Sequence, residues 1–384
     1  MKYYSILLIL LIFSCKKENN NDFDISNPIA INIDNFTPKT NKTILNKITD
    51  FSFISLTKIP ELSSIGKIKK VINHKNKFFV FDDKKSNILV FNANGVYLNS
   101  IGDRGAGPEE YKRINDFDIN KKEGVIYILN NPFLLTYNME GNFLNKKLLE
   151  FYPVKMATMT NGNIAFNLPT IDDDFCHLII ADKHGDFLSK TGCYPAFSGF
   201  VGNSRTGGVN SINDPTYYNY TGSSVIYKVT DEFKLKPIFE FDLGSYMWLE
   251  EDKNDVGGFR KKFKNNSVSF LYNSYCITNK WLLFEYKISS QENTSFAYFN
   301  IEKNELSTKK SFDEYQLLDL FGVPVGLDVK NRFITNIDYE VYNEISEINN
   351  TKELLKNYDL NFYNALNNLN QENTNILMLY SLKN

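Results

Sequence analysis

Apolar and polar positions alternate in short runs along most of the chain, and one arrangement recurs. An apolar strand leads into a two-residue turn ending in Gly, and a second alternating strand follows. The unit spans Ile88–Leu98, Leu134–Leu144 and Leu178–Leu188, with its glycines Gly95, Gly141 and Gly185 spaced 46 and 44 residues apart. Glycine suits these places because a tight hairpin needs φ > 0, which a residue without Cβ adopts freely. Weaker copies follow over Val225–Phe233 and Phe296–Asn304. Another strand pair precedes each strong hairpin: Ile68–Ile72 with Phe78–Phe81, Phe117–Ile119 with Val125–Leu129, and Lys155–Met159 with Asn163–Phe166.

Four strands per period of about 45 residues is the spacing of propeller blades. The body from Asn46 to Asn384 then holds six blades, an all-β six-bladed β-propeller with insertions. Such a ring closes when one blade is shared between the chain ends, which removes two open sheet edges. The segments predicted to share it are Phe51–Leu56 and Ile376–Leu382. Two stretches interrupt the pattern. Ser245–Asn266 carries Trp248 and a charged run, and residues 344–370 read as a helical insertion near the C-terminus that covers part of one face. In that helix Asn350 and Glu353 are spaced as a capping box, with Leu354, Leu355, Tyr358, Phe362, Leu366 and Leu369 at helical intervals.

The first residues change the picture of where the body resides. Lys2 precedes the apolar run Ile6–Phe13, then come Ser14 and Cys15, the layout of a signal peptide. The run is too short for a transmembrane helix, which takes about 20 apolar residues. Ser14-Cys15 with Ile12 upstream resembles a bacterial lipobox, although Phe13 departs from the usual residue there. Cleavage before Cys15 and lipidation of its thiol would anchor the chain to a membrane, since a diacylglyceryl cysteine supplies more than one acyl chain. Residues 16–45, opening Lys16-Lys17-Glu18-Asn19, read as a flexible tether, because they offer little apolar surface to bury. The net charge of −2 argues against a nucleic-acid binder, while 23 Tyr and 31 Phe favour strands.

The stretch Ile101-Gly102-Asp103-Arg104-Gly105-Ala106-Gly107-Pro108-Glu109-Glu110-Tyr111, followed by Asp116-Phe117-Asp118-Ile119, resembles the signature of the six-bladed β-propeller lipoproteins of Bacteroidetes, which are similar in architecture to NHL-repeat propellers. The resemblance extends over Phe51–Lys58, the hairpin repeats and Asn375–Lys383, and is thin from Ser198 onward. It implies an outer-membrane protein of the cell envelope and a propeller, and it implies no activity.

Candidate chemistry is sparse. Gly102, Gly105 and Gly107 could cradle a phosphate, but no helix follows them as a nucleotide site requires, so a structural inter-blade loop is the stronger reading. The three histidines, His74, His177 and His184, show no ligand spacing, and Asp172-Asp173-Asp174 reads as a solvated turn. No metal and no cofactor is predicted. In the third hairpin Cys176 and Cys193 fall opposite each other, which places a disulfide within reach in an exported protein; Cys276 is left unpaired and buried. The candidate contacts for a glycan, peptide or protein partner are Arg104, Tyr111, Arg205, Tyr217 and Trp248. The alternative is a hydrolase or lyase at the central channel, which would require carboxylates such as Asp116 and Asp118 to converge with a base or a metal near the axis.

Overall fold

The computed structural model describes residues 27–33, 47–57, 59, 64–169, 176–193, 208–210, 212, 215–220, 223–244, 261–262, 270–287, 295–308, 324–338, 342–343, 347, 351–367 and 375–383. Two strands come first, β1 (Ile29–Asn32) and β2 (Ile48–Ser55). Three four-stranded antiparallel meanders follow. The first comprises β3 (Ile68–His74), β4 (Lys77–Asp82), β5 (Asn87–Asn92) and β6 (Tyr97–Ser100). The second comprises β7 (Asp116–Asn120), β8 (Val125–Asn130), β9 (Phe133–Asn138) and β10 (Phe143–Leu148). The third comprises β11 (Lys155–Thr158), β12 (Ile164–Asn167), β13 (Cys176–Ala181) and β14 (Phe187–Cys193).

The fourth sheet holds β15 (Gly208–Asn210), β16 (Tyr217–Asn219), β17 (Val225–Val229) and β18 (Leu235–Asp242). The fifth holds β19 (Phe270–Ile277), β20 (Trp281–Lys287), β21 (Ser295–Asn300) and β22 (Glu305–Thr308). In the sixth, β23 (Gly326–Leu327) and β24 (Phe333–Asp338) are completed by β25 (Asn375–Leu382) and β2, in the order β2-β25-β24-β23. The register runs from Ile48 opposite Leu382 to Ser55 opposite Ile376. Both chain ends therefore lie in one sheet, as the closure argument requires, and each covers an edge that would otherwise be open.

Two sequence expectations change here. Residues 16–45 were expected to be tether throughout, yet β1 lies inside them and adds a parallel fifth strand to the fourth sheet, with Ile29 opposite Phe239 and Asn32 opposite Asp242. Ile31 is buried there at 1% exposure, so four residues with two isoleucines suffice once an edge strand is available to pair with. The helix expected over 344–370 is instead two eight-residue helices, α1 (Thr351–Tyr358) and α2 (Leu360–Asn367), separated at Asp359. Asn350 and Leu369 of that expectation lie outside the described residues.

The hairpin turns are also one residue longer than the pattern suggested. Phe91 pairs Tyr97 while Val90 pairs Asn99, so a bulge follows a three-residue loop, and the second and third sheets repeat this slip. The organising residue is the one before the loop. Asn92 Oδ1 accepts the N–H groups of Asn94 and Val96 at 2.9 and 3.0 Å, and Asn138 and Asp182 do the same in their hairpins. Gly95 then turns at φ 79°, and a Cβ on it would stand 2.2 Å from the Ser55 carbonyl of the neighbouring blade. Asx-x-x-Gly is thus the hairpin signal, since a short acceptor side chain mimics a backbone turn and Gly supplies the left-handed residue.

Candidate functional site at the centre of the ring

The first strand of each sheet lines the axis: β23 touches β3, β7 touches β11, β11 touches β15, and β15 touches β19. An innermost strand has one edge without a hydrogen-bonded neighbour, and its N–H groups on that edge recur at every second residue. Asp116 and Asp118 of β7, also two residues apart, meet this need in β11. Asp116 Oδ2 accepts the Met156 N–H at 3.1 Å, and Asp118 Oδ2 accepts the Thr158 N–H at 2.6 Å. Their other oxygens accept the N–H groups of Phe117 and Ile119, both at 2.9 Å. The two carboxylates thus latch the second blade to the third.

Lys70 of β3 ties in the first blade. Its Nζ lies 3.3 Å from Asp116 Oδ1, donates to the Phe117 carbonyl and stands 5.1 Å from the centre of the Phe117 ring. Burial raises the Asp118 carboxyl above its ordinary range, against the pull of Lys70 and of the Thr158 and Ile119 N–H groups. Lys155, half-buried at the start of β11, has its amine pushed down to about 8, chiefly by burial; Lys69 and Lys70 add to the effect and Asp116 opposes it. Other junctions are held more simply, by Val71 N–H to the Val325 carbonyl at 2.8 Å and Asn210 Nδ2 to the Tyr275 carbonyl at 2.7 Å.

Where β3, β7 and β11 end, the channel opens into a cavity of about 160 Å³. Ile72, Met159 and Leu327 form apolar parts of its wall, Asp118, Asn120 and Thr158 polar parts, and Lys121 and Lys122 its rim. Asn120 is 1% exposed. Its Oδ1 accepts the Glu123 N–H at 3.1 Å, and its side chain also hydrogen-bonds the Tyr127 hydroxyl. That hydroxyl donates to the Lys183 carbonyl at 3.0 Å. Thr158 Oγ1 and His74 Nε2 are buried without hydrogen-bond partners. Burial lowers the His74 pKa, and Lys75 and Lys121 lower it further, so the imidazole is held neutral.

A second, open cleft of about 530 Å³ lies against the glycine-rich loop, between Gly102, Glu109 and Tyr137. The loop is braced from within. Gly107 N–H donates to Glu110 Oε2 at 2.7 Å, Glu110 N–H to the Gly107 carbonyl at 3.2 Å, and Pro108 occupies the turn between them. A Cβ on Gly105 would fall 1.9 Å from the Glu110 carboxylate, and one on Gly102 would fall 2.7 Å from the Tyr137 hydroxyl. These glycines clear space for neighbouring side chains, and no helix N-terminus follows them to hold a phosphate.

The sequence-derived contacts fare unevenly. Arg104 is exposed on the loop, paired through its backbone with Tyr111. Tyr111 itself is fully buried, donating to the Ile101 carbonyl at 3.3 Å, so it packs the loop and presents no face to a partner. Tyr217 is a second correction: it sits in β16 within an apolar cluster that includes Ile226 and Phe239. Arg205, Trp248 and the Asp172–Asp174 run lie outside the described residues. Cys176 and Cys193 form a disulfide across the β13–β14 hairpin, and Cys276 is buried with a free thiol, its pKa raised by burial. Among the described residues no three His, Cys, Asp or Glu side chains gather as a metal site would need. Lys70, Asn120, Thr158 and Lys155 were missed. A lysine inside the apolar strand Ile68–Ile72 was the available hint of a buried partner.

Six sheets around a common axis, each opening with its innermost strand and the last shared by both chain ends, define a six-bladed β-propeller. The chain belongs to the family of the DUF4934 domain, a domain of unknown function, whose sequence profile matches residues 28–381. Its structure is similar to that of a Bacteroides fragilis protein described as exported, at 17% identity and TM-score 0.73 over 93% of this chain and 100% of that one. It is also similar to a DUF4221-family member from Bacteroides vulgatus, at 11% identity and TM-score 0.52 over 88% of this chain and 98% of that one. No curated protein matches.

Proposed function

We propose that the protein is an exported lipoprotein, anchored through Cys15 to the outer membrane on its periplasmic or surface face, and that its propeller is a binding module for a glycan, peptide or protein partner. The observation that carries the binding reading is the division of labour along the channel. Asp116 and Asp118, the carboxylates an axial hydrolase or lyase would use, are engaged by backbone N–H groups and Lys70. The cavity at the channel mouth has a mixed wall, apolar at Ile72, Met159 and Leu327 and polar at Asn120, Thr158 and Lys122, as a recognition site has. Propeller faces suit recognition because a rigid ring presents loops and strand ends around one opening.

Export and anchoring are supported by the Lys2-to-Cys15 layout and by the exported protein among the structural neighbours. Among the described residues no helix is long and apolar enough to cross a membrane. Palmitate labelling of cells tests it: label on the wild type and none on Cys15→Ala supports the anchor, and equal label on both overturns it. Affinity capture from solubilised membranes, with mass spectrometry of co-purifying proteins and glycan analysis, tests the binding role. A partner recovered reproducibly supports it, and recovery of nothing beyond a tag-only control contradicts it.

A further inference from the structure

We propose that the face of the ring carrying the channel mouth lies against the membrane, with Lys75, Lys121, Lys122 and Lys330 on acidic phospholipid headgroups. The inference rests on the Cys15 anchor proposed above and narrows the binding role, since a mouth turned to the bilayer meets partners that lie at the membrane surface.

Topology sorts the loops between two faces. Strands alternate in direction within each blade, and the innermost strands of neighbouring blades run in the same sense, Asp116 and Asp118 matching Met156 and Thr158 in order. Every turn from a first to a second strand, and from a third to a fourth, therefore lies on the face where the channel mouth opens. The fourth blade's outer strand β18 starts from such a turn, closed between Thr230 and Lys234, and β1 runs parallel to it. The chain thus enters β1 from this face. Ile29 follows Cys15 by 14 residues, a reach of at most about 50 Å at roughly 3.3–3.6 Å per residue. A lipid on Cys15 draws this side of the fourth blade toward the bilayer.

The turns nearest the axis supply the charge. Among the described residues, those from first to second strand carry the cations Lys75, Lys121, Lys122, Lys280, Lys330 and Arg332 against the carboxylates Glu123 and Asp328. Both carboxylates are taken, Glu123 by Lys183 at 2.9 Å and Asp328 by Arg332 at 2.8 Å, and Lys280 stands 3.8 Å from Glu302. The other four lysines are exposed and, among the described residues, pair with no carboxylate. They form one patch over the sixth, first and second blades. Val329 N–H, next to Lys330, donates to Asn73 Oδ1 of the first blade at 3.3 Å, and Lys75 Nζ lies 3.9 Å from where a Cβ on Gly124 of the second blade would stand. Val329 itself is 68% exposed. An apolar side chain among cations suits a lipid interface, where binding follows apolar area plus attraction to anionic lipid. The first blade lies across the ring from the fourth, so tether and patch hold the face at opposite sides. On the other face the loop from β6 to β7 balances Asp103, Glu109 and Glu110 with Arg104, Lys112 and Arg113 and offers no such excess.

Fluorescence quenching on the full lipidated chain, reconstituted in vesicles of phosphatidylcholine with or without a quarter of phosphatidylglycerol and carrying a headgroup-labelled quencher, tests this. Cys276 is buried and Cys176 is bonded to Cys193, so a cysteine introduced by Asn161→Cys on the mouth face or Lys84→Cys on the other takes the dye. With phosphatidylglycerol the probe at 161 should be quenched at least twofold more than the probe at 84, and high salt should shrink the difference. Lys75→Gln/Lys121→Gln/Lys122→Gln/Lys330→Gln, all at exposed positions, should shrink it too. Equal quenching of the two probes, or more at 84, overturns the proposal. A difference no larger with phosphatidylglycerol than without it assigns the lysines to a soluble acidic partner and overturns the membrane contact. Palmitate labelling separates the two readings: label on Cys15 with equal quenching leaves the anchor standing and removes the orientation. If the label is absent, the anchor falls, and sedimentation of the full Cys15→Ala chain with the same vesicles tests the face alone. Each basic residue near an acidic bilayer strengthens attachment about fivefold, so the four-lysine variant should then bind phosphatidylglycerol vesicles at least tenfold more weakly; equal binding overturns the proposal.

Discussion

Replacing Lys155 by Met should stabilise the propeller at neutral pH, because burial and nearby cations disfavour the charge on its amine. Burial and the like charges of Lys69 and Lys70 outweigh Asp116, and the amine falls from its ordinary 10.5 to about 8. Asp116 is the largest charge acting on Lys155 and opposes the shift, but it does not offset burial. At about 1.4 kcal/mol per pH unit, the distance between these values bounds the cost of charged Lys155 at about 3 kcal/mol. Water reaches this half-buried side chain, which lowers the figure to about 1–2 kcal/mol. The unfolded chain binds the proton more tightly, so between pH 8 and 10.5 it holds more protons than the folded chain, and wild-type stability gains with rising pH across that window. Below pH 8 the cost is fully present. Urea unfolding at pH 7 should therefore place the midpoint of Lys155→Met above that of the wild type, with the gap shrinking from pH 8 to 10.5. Lys155→Arg, which keeps its charge, should show no gain. A Met variant no more stable than the wild type at pH 7, or a gap that stays constant to pH 10.5, would refute the reasoning.

Three further outcomes follow from the same contacts. Asp116→Ala strands the buried Lys70 ammonium and the Met156 N–H and should cost about 3–5 kcal/mol in urea unfolding, with Lys70→Met/Asp116→Ala recovering part of the loss. Gly105→Ala drives a methyl into the Glu110 carboxylate and displaces it from the Gly107 N–H; it should lower the melting temperature by a few degrees in the wild type and add little to the loss in a Glu110→Ala background, and equal drops in both would show that the clash is not the cause. Cys176→Ser/Cys193→Ser opens a link between residues separated by 17 positions and should cost about 3 kcal/mol, and a double variant with an unshifted midpoint would show that the bond contributes nothing.

The ring was legible because its signals are local and repeated. Glycines 46 and 44 residues apart mark hairpins whose turn chemistry is complete within five residues, and the alternating segments at the two ends pair as closure demands. What failed to show lacks a local signature. β1 owes its existence to an edge strand some 210 positions away, so four residues alone could not announce it. The binding surface was harder still, because side-chain type does not reveal which way a residue points. Tyr111 and Tyr217 carry the composition of contact residues and are spent on packing. Asn120 and Thr158 look ordinary, and only the approach of two blades sets both residues in the wall of one cavity. Asp116 and Asp118 were conspicuous, but their role as latches depends on the free edge of a strand from the next blade.

The account depends above all on a ring closed by both chain ends. β25 lies between β2 and β24, so removing residues 375–384 strips both neighbours of their partner. Thermal unfolding of that truncated chain is predicted to lose its single cooperative transition, with broad melting and exposed apolar surface in place of a defined midpoint. A truncated chain that melts in one sharp transition at the wild-type temperature would contradict the closure and the propeller built on it.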